Sequence, residues 1–462
     1  MSNINHTKYP KQRLIVDNLK EFIGKSGNKT CPIAVMAGIR RIGKTTVLYC
    51  LQEYYGINNS LYLDFANDKE AVYKLDDFIR NPDKNLLLLD EITYLKNYEN
   101  ICSDLYNTAG GAREWKFKVV ITGSSPAHLF KLAHLTLGGG RSKIFNLPVI
   151  TFVEYLYFTE RIKSYSEYSN ATIQDFKDYL LLKDLNPELA MSFDEQYFID
   201  YYELNDRSND NRCAGRSFIE LKSDDLQNMA NLLAYQLADH VKYETIVSPD
   251  IGVRSLAPTD RARLIKFLLD SRITNCSTTL LSEDERKMEA SAVYRELEST
   301  TNSSYLEGLF KKISVAMCSP LLYSRLGEDI LASVNIDFHT LLDNSEYNDI
   351  IGKMLEVYIR GAIVQLDCPL IPFTLAKLKY AEIGEVDIWN SNRGILCEVT
   401  AGRTKGPQEI KLHKYFKNIS LIRVCSTKHH SDKIEGFYRI PCPILCCMID
   451  TGDIFNLDRT QI

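Results

Sequence analysis

No stretch of this chain approaches the run of about 18 apolar residues that a membrane-crossing helix needs, so a membrane span is not expected. Twelve cysteines are scattered from Cys31 to Cys447 without one CxxC pair. The opening residues, MSNINHTKYPKQR, lack the apolar core of a signal peptide. A cytoplasmic protein with reduced thiols is therefore expected. Charge of one sign is also scarce: 55 bases against 60 acids leave a net −5, which excludes a polybasic, histone-like binder. What is abundant is apolar residues, at 45%, enough to bury a sizeable core and to exclude a largely disordered chain. At 462 residues the chain has room for about three domains of roughly 150 residues each.

The N-terminal third alternates short apolar runs with helix-length segments. The runs are Ile33–Ala37, Leu61–Leu63, Leu86–Leu89, Phe117–Thr122 and Ile144–Leu147. Continuous apolar runs suit strands buried on both faces of a parallel sheet. Segments such as Thr45–Tyr55 and Leu95–Tyr106 are long enough to be crossover helices, so this part reads as α/β. Past about residue 160 the composition shifts toward Tyr, Asp and Asn, and Asn205–Arg212 reads as an exposed loop. Helical spacing returns at Leu226, Met229, Leu232, Leu233 and Leu237, and again at Leu264, Ile265, Phe267 and Leu268 after Pro258. This middle region suits a helical lid or a winged-helix module. The last segment opens with a helix, Gly352–Leu366, and continues as strands. Its 15 bases and 12 acids over residues 351–462 give +3, leaving −8 for the rest, an asymmetry small enough to be a solvated mixed surface.

One motif carries explicit chemistry. Gly38, Ile39, Arg40, Arg41, Ile42, Gly43, Lys44 and Thr45 spell GxxxxGK[ST] between an apolar strand and a helix opening at Thr46. The glycines let backbone N–H groups wrap a phosphate, and the helix N-terminus adds a favourable partial charge. Lys44 would reach the β- and γ-phosphates of ATP, and the Thr45 hydroxyl would sit on Mg²⁺. An apolar strand, Leu86–Leu89, then ends in Asp90 and Glu91, 46 positions after Lys44. Asp90 would hold Mg²⁺ through water, and Glu91 would polarise the attacking water. The Asp-Glu pair favours an ATPase over a GTPase, whose DxxG and NKxD signatures are missing. A third strand, Phe117–Thr122, runs into Gly123-Ser124-Ser125, which by itself is an ordinary turn.

Taken in order, GxxxxGKTT, LLLLDE, VVITGSS, GGGR and LPVITFVEYL resemble the bacterial and archaeal AAA+-type P-loop ATPases that carry a C-terminal restriction-endonuclease-like domain. The resemblance spans about residues 10–160. It implies that Ser124 acts as the sensor and that Arg141 contacts the γ-phosphate region.

Three acids stand out later: Glu356 on a helix, Asp387 on the strand Gly384–Trp389, and Glu398 on the strand Ile395–Val399. A hairpin with Asp387 and Glu398 eleven positions apart would bring both carboxylates to one end. The constellation resembles the PD-(D/E)xK nuclease fold, whose acids bind Mg²⁺ and activate water. Thr400 stands where that pattern has lysine, with Arg403, Lys405 and Lys411 nearby. Three readings follow: a degenerate nuclease-like scaffold, an active nuclease with a relocated cation, or an unrelated hairpin. Cys442, Cys446 and Cys447 with His429 and His430 match no zinc module, and buried free thiols are the simpler reading.

The expected organisation is a P-loop ATPase domain over 1–160, a helical lid and winged-helix region over 161–340, and a small α/β nuclease-like domain over 341–462. The expected activity is Mg²⁺-dependent ATP binding with hydrolysis. The alternatives are a non-hydrolysing switch or scaffold and an ATP-regulated DNA nuclease. Partners beyond ATP extend to an unidentified protein or a nucleic acid, and self-association is compatible with the motifs.

Overall fold

The computed structural model describes residues 9–25, 32–110, 116–137 and 140–186 continuously, and beyond them chiefly 241–242, 274–280, 313–321, 348–367, 375–380, 384–390, 395–399, 420–425, 432–434 and 437–456. The chain divides into two compact units, one built on Met1–Val149 and the other on Ile150–Asp200 and Ile219–Ile462.

The first unit is a parallel five-stranded sheet flanked by helices. Its strands are β1 (Ile33–Ala37), β2 (Ser60–Asp64), β3 (Leu86–Asp90), β4 (Lys118–Thr122) and β5 (Ser142–Asn146), in the order β2-β3-β4-β1-β5. Every residue of β1, β3 and β4 is buried, which is why these strands read as unbroken apolar runs. The helices are α1 (Leu14–Gly24), α2 (Lys44–Tyr55), α3 (Ala71–Arg80), α4 (Tyr98–Ala109) and the short α5 (Pro126–Lys131). Helix α1 buries Ile15, Val16, Leu19 and Phe22, the single stripe expected of a helix lying on a core. Helix α2 buries Val47, Leu48 and Leu51 in the same manner. Each apolar run named from the sequence falls within or overlaps one of these strands.

The second unit begins with α6 (Phe152–Phe158) and α7 (Ile173–Leu180). Among the described residues nine strands form its sheet: β6 (Val241–Lys242), β7 (Thr274–Leu280), β8 (Ile313–Met317), β9 (Leu375–Tyr380), β10 (Gly384–Asn390), β11 (Ile395–Val399), β12 (Ser420–Cys425), β13 (Asp432–Ile434) and β14 (Phe437–Pro441). Their order is β13-β14-β12-β11-β10-β9-β7-β8-β6. Strands β6, β7 and β8 come from the stretch read as a helical lid, and β7 pairs with β9 in one continuous sheet. The helices expected around Leu226–Leu237 and 258–268 lie outside the described residues.

Helix α8 (Asn348–Asp367) packs on helix α9 (Cys442–Thr451) and reaches β11. A buried bracket ties α6 to both helices. The Tyr358 hydroxyl accepts from the Phe152 backbone N–H at 2.7 Å and donates to the Asp450 carboxylate at 2.7 Å. Asp450 also accepts from the Val153 N–H at 3.0 Å. The first turn of α6 thereby finds partners for backbone donors that a helix cannot satisfy internally. Thr151 and Glu154 complete a capping box at the same end. Glu154 of the LPVITFVEYL motif is thus a buried structural cap. Cys442, Cys446 and Cys447 lie on α9 as buried free thiols, as expected, while His429 and His430 lie outside the described residues.

Candidate functional site

The sheet order positions the site. Because β4 lies between β1 and β3, the turn after β4 falls between the loop that follows β1 and the carboxylates that end β3. All of these segments leave the carboxyl edge of a parallel sheet, where ligands of open α/β folds bind.

The loop after β1 needs its glycines. A Cβ on Gly38 would lie 2.6 Å from the Leu147 carbonyl oxygen, inside any tolerable contact. Gly43 has φ +90°, a left-handed conformation that glycine adopts without penalty, and it opens α2. Ile39 and Ile42 are buried, Arg40 is half-buried, and Arg41 (φ 61°) and Thr46 are exposed. Arg13 pins the loop from outside, donating to the Ile42 carbonyl at 3.0 Å and to the Pro148 carbonyl at 2.9 Å.

Lys44 is buried inside the loop it belongs to. Its Nζ donates to the carbonyls of Gly38 at 2.9 Å and Ile39 at 2.7 Å. Burial pushes its pKa down to about 8, against the opposing pull of Glu91 and Asp90. The ammonium therefore rests on weak neutral acceptors, within the field of the two acids, and an anion would be a better partner.

Asp90 ends β3 and is 2% exposed. Its Oδ1 accepts from the Glu91 N–H at 3.1 Å and its Oδ2 from the Tyr62 hydroxyl at 3.0 Å. Burial raises its pKa, and hydrogen bonds from Thr45 and Tyr62 oppose that rise. Thr45 and Asp90 thus form one hydroxyl–carboxylate pair. Two hard oxygen ligands, with the remaining positions left to water and phosphate, match how Mg²⁺ is usually held. Among the described residues no group of three or more His, Cys, Asp or Glu side chains is arranged to hold a metal, so a cation here would rely on the nucleotide for further ligands.

Glu91 sits at φ 53°, ψ 38°, a left-handed conformation that is strained for a non-glycine residue. The Ser124 hydroxyl lies 2.7 Å from both of its carboxylate oxygens. Gly123 makes this approach feasible: a Cβ there would meet Thr93 Cγ2 at 2.9 Å. Gly38, Gly43, Lys44, Thr45, Asp90, Glu91 and Ser124 therefore gather at one edge.

Arg141 does not join them within this unit. It precedes β5, whose Ser142 pairs with Ile33 at the start of β1, so it stands at the amino edge of the sheet. Five residues of strand separate the two edges by about 16 Å. The exposed Arg141 guanidinium lies 5.4 Å from the Tyr106 ring centroid on α4.

In the second unit, Glu356 on α8 is ion-paired with Arg360 one turn later. Strands β10 and β11 are antiparallel, with Ile388 opposite Cys397. Asp387 and Glu398 are each the immediate chain neighbour of one member of this pair. Thr400 and the basic candidates Arg403, Lys405 and Lys411 lie outside the described residues.

Against this geometry, residues 30–156 match a protein-family model described as an AAA domain. The first unit is an α/β domain of the P-loop NTPase kind. An uncharacterized protein of the archaeon Methanocaldococcus jannaschii is 28% identical over 183 residues, 36% of this chain and 37% of that one. The alignment thus spans little more than a third of that relative's length. Solved structures with some likeness include a DNA replication initiation factor (15% identity, 64% of this chain, 91% of that one, TM-score 0.27). The ORC2 protein of Aeropyrum pernix in its ADP form is another (10% identity, 58% and 88%, TM-score 0.29). TM-scores this low leave the fold assignment to the sheet and the phosphate loop themselves. Among the described residues no helix is long and apolar enough to cross a membrane.

Two features of the site had little sequence signal. Tyr62, which holds Asp90, is one of 27 tyrosines and sits in no motif. Arg13 precedes α1, far from the phosphate loop in sequence, and only the folded unit brings it to Ile42.

Proposed function

We propose that this protein binds ATP with Mg²⁺ in the loop Gly38–Thr46 and hydrolyses it. The observation that carries the reading is the buried Lys44 ammonium held on two loop carbonyls beside Asp90 and Glu91. On nucleotide binding Lys44 exchanges those carbonyls for phosphate oxygens, gaining charge-assisted bonds. Thr45 and Asp90 orient the Mg²⁺ that neutralises charge on the phosphates. Glu91 polarises the attacking water, and Ser124 reports the γ-phosphate. Arg141, at the far edge of its own sheet, is proposed to stabilise developing charge only across an interface with a second copy. The second unit is proposed as a nuclease-like scaffold moved by the ATP cycle, without cleavage of its own; the pairing of Glu356 with Arg360 supports this by occupying one of the three acids.

A second reading, a nucleotide switch with negligible turnover, draws on the engagement of Glu91 by Ser124, which leaves the candidate base occupied. Steady-state phosphate release, with and without DNA, RNA or a partner protein, separates the two. Lys44→Ala should weaken ATP binding by about 100-fold or more, since hydrogen bonds to charged groups are worth about 1.5–3 kcal/mol each. Unchanged affinity in folded Lys44→Ala protein would overturn the phosphate-loop assignment.

A further inference from the structure

One contact at the site belongs to no motif. Tyr62 lies on the edge strand β2, in register with Leu88 of β3. Side chains alternate across a strand, so Leu88 and Asp90 share a face, and Tyr62 shares it with them. Helix α2 covers this face with a matching pair at helical spacing, Thr45 and Tyr49. Thr45 is hydrogen-bonded to Asp90, and the Tyr49 ring packs against the Tyr62 ring with centroids 5.0 Å apart. The result has two rungs, Thr45 on Asp90 and Tyr49 on Tyr62. The Tyr62 hydroxyl joins them by donating to Asp90 Oδ2 at 3.0 Å.

That donor fixes more than one freedom of the carboxylate. With Oδ1 bonded to the Glu91 N–H and Oδ2 to Tyr62, rotation of the carboxylate plane is blocked. Each oxygen has a second lone pair, one of them engaged by the Thr45 hydroxyl, which leaves room for a further partner. A ligand carboxylate held by outer hydrogen bonds binds its metal more tightly than a free one.

We propose that Tyr62, braced by the Tyr49 ring, is a positioning residue that orients Asp90 toward a divalent cation shared with bound nucleotide. This rests on the ATP-binding reading above. Tyr62 touches neither nucleotide nor the attacking water; it acts through Asp90.

The experiment titrates Mg²⁺ into full-length protein mixed with a fluorescent ATP analogue and reads binding, not turnover. EDTA gives the metal-free affinity. Tyr62→Phe should leave the metal-free affinity within about twofold while raising the half-saturating Mg²⁺ concentration about tenfold, the low end for a lost outer-shell partner. A purely structural tyrosine would lower the melting temperature and leave that midpoint in place, which would overturn the proposal. Wild-type binding that ignores Mg²⁺ would overturn it as well. Should Tyr62→Phe lose metal-free binding through misfolding, Tyr62→Leu is read in the same way. Lys44→Ala in the same titration keeps the two ideas apart. If it binds the analogue as wild type does, the phosphate-loop reading fails. If it loses binding while Tyr62→Phe keeps the wild-type Mg²⁺ midpoint, only the role of Tyr62 fails.

Discussion

Ser124 and Glu91 share one hydrogen-bonded arrangement, the serine hydroxyl lying 2.7 Å from both oxygens of the carboxylate. The contact links the ends of β4 and β3, neighbouring strands of one sheet, at a glutamate whose backbone is left-handed. A hydroxyl shared in this way has one proton to donate, so a phosphate oxygen that takes it releases Glu91 for water. Glu91→Gln should keep ATP affinity within a few-fold and slow hydrolysis about 10²-fold, the usual scale for a positioned base. Ser124→Ala should leave ATP affinity similar and lower turnover by a smaller factor. Single-turnover phosphate release checks both, and undiminished turnover in Glu91→Gln would assign the water to another residue.

Gly38 is a second point of leverage. The Leu147 carbonyl lies 2.6 Å from where a Cβ would sit, and it is backbone that cannot swing aside. Gly38→Ala should therefore destabilise the first unit by about 1–3 kcal/mol, the usual cost of overpacking, and weaken nucleotide binding because the loop must shift. Thermal denaturation with and without nucleotide reads both effects. An alanine variant with wild-type stability and affinity would contradict the tight packing of this loop.

Asp450 makes the second unit sensitive to pH. Burial raises its folded pKa to about 8 from an ordinary 3.8, against the pull of its hydrogen bonds from Tyr358 and Val153. The folded state thus binds the proton more tightly than the unfolded chain. This contribution is fully present below about pH 4 and is lost as pH rises through about 8. Asp450→Asn should flatten that part of the stability–pH curve, measured by denaturant unfolding between pH 5 and 9. An unchanged slope would remove Asp450 as its source.

The second unit should not cut nucleic acid. Asp387 and Glu398 lie on adjacent antiparallel strands, but Glu356 is ion-paired with Arg360 and Thr400 brings no charge. Losing one preorganised electrostatic contact typically costs about 10²–10³ in rate. Single- and double-stranded DNA and RNA incubated with protein and Mg²⁺ or Mn²⁺, with and without ATP, should remain intact. Cleavage abolished by Asp387→Ala would instead point to Arg403, Lys405 or Lys411 as the missing cation.

The first unit was legible because its strands are buried on both faces and so appear as apolar runs, with glycines and acids punctuating their carboxyl ends. Strand order was not legible; Arg141 is separated from the phosphate loop by its place just before β5, at the amino edge of the sheet. In the middle region the polar strand β7, TNCSTTL, lacks the apolar run that marked the others, so helical spacing elsewhere dominated the reading. The capping box at Thr151 and Glu154 was present in sequence as T-x-x-E, but it lay within a motif read as a family signature. Tyr62, Tyr358 and Asp450 act through contacts between distant segments, which no local pattern encodes.

The bracket on α6 also has a kinetic side. Val153 donates to a carboxylate 297 positions later in the chain. The closure entropy for so wide a loop must be met before the contact stabilises anything, and folds rich in such contacts form slowly. During synthesis, α9 must be delivered before the Val153 N–H finds its carboxylate partner, although the Thr151–Glu154 capping box can form at once. The strands of the first unit, by contrast, all lie within about 150 residues of one another in the chain, so its sheet can close while the bracket in the second unit still waits for α9.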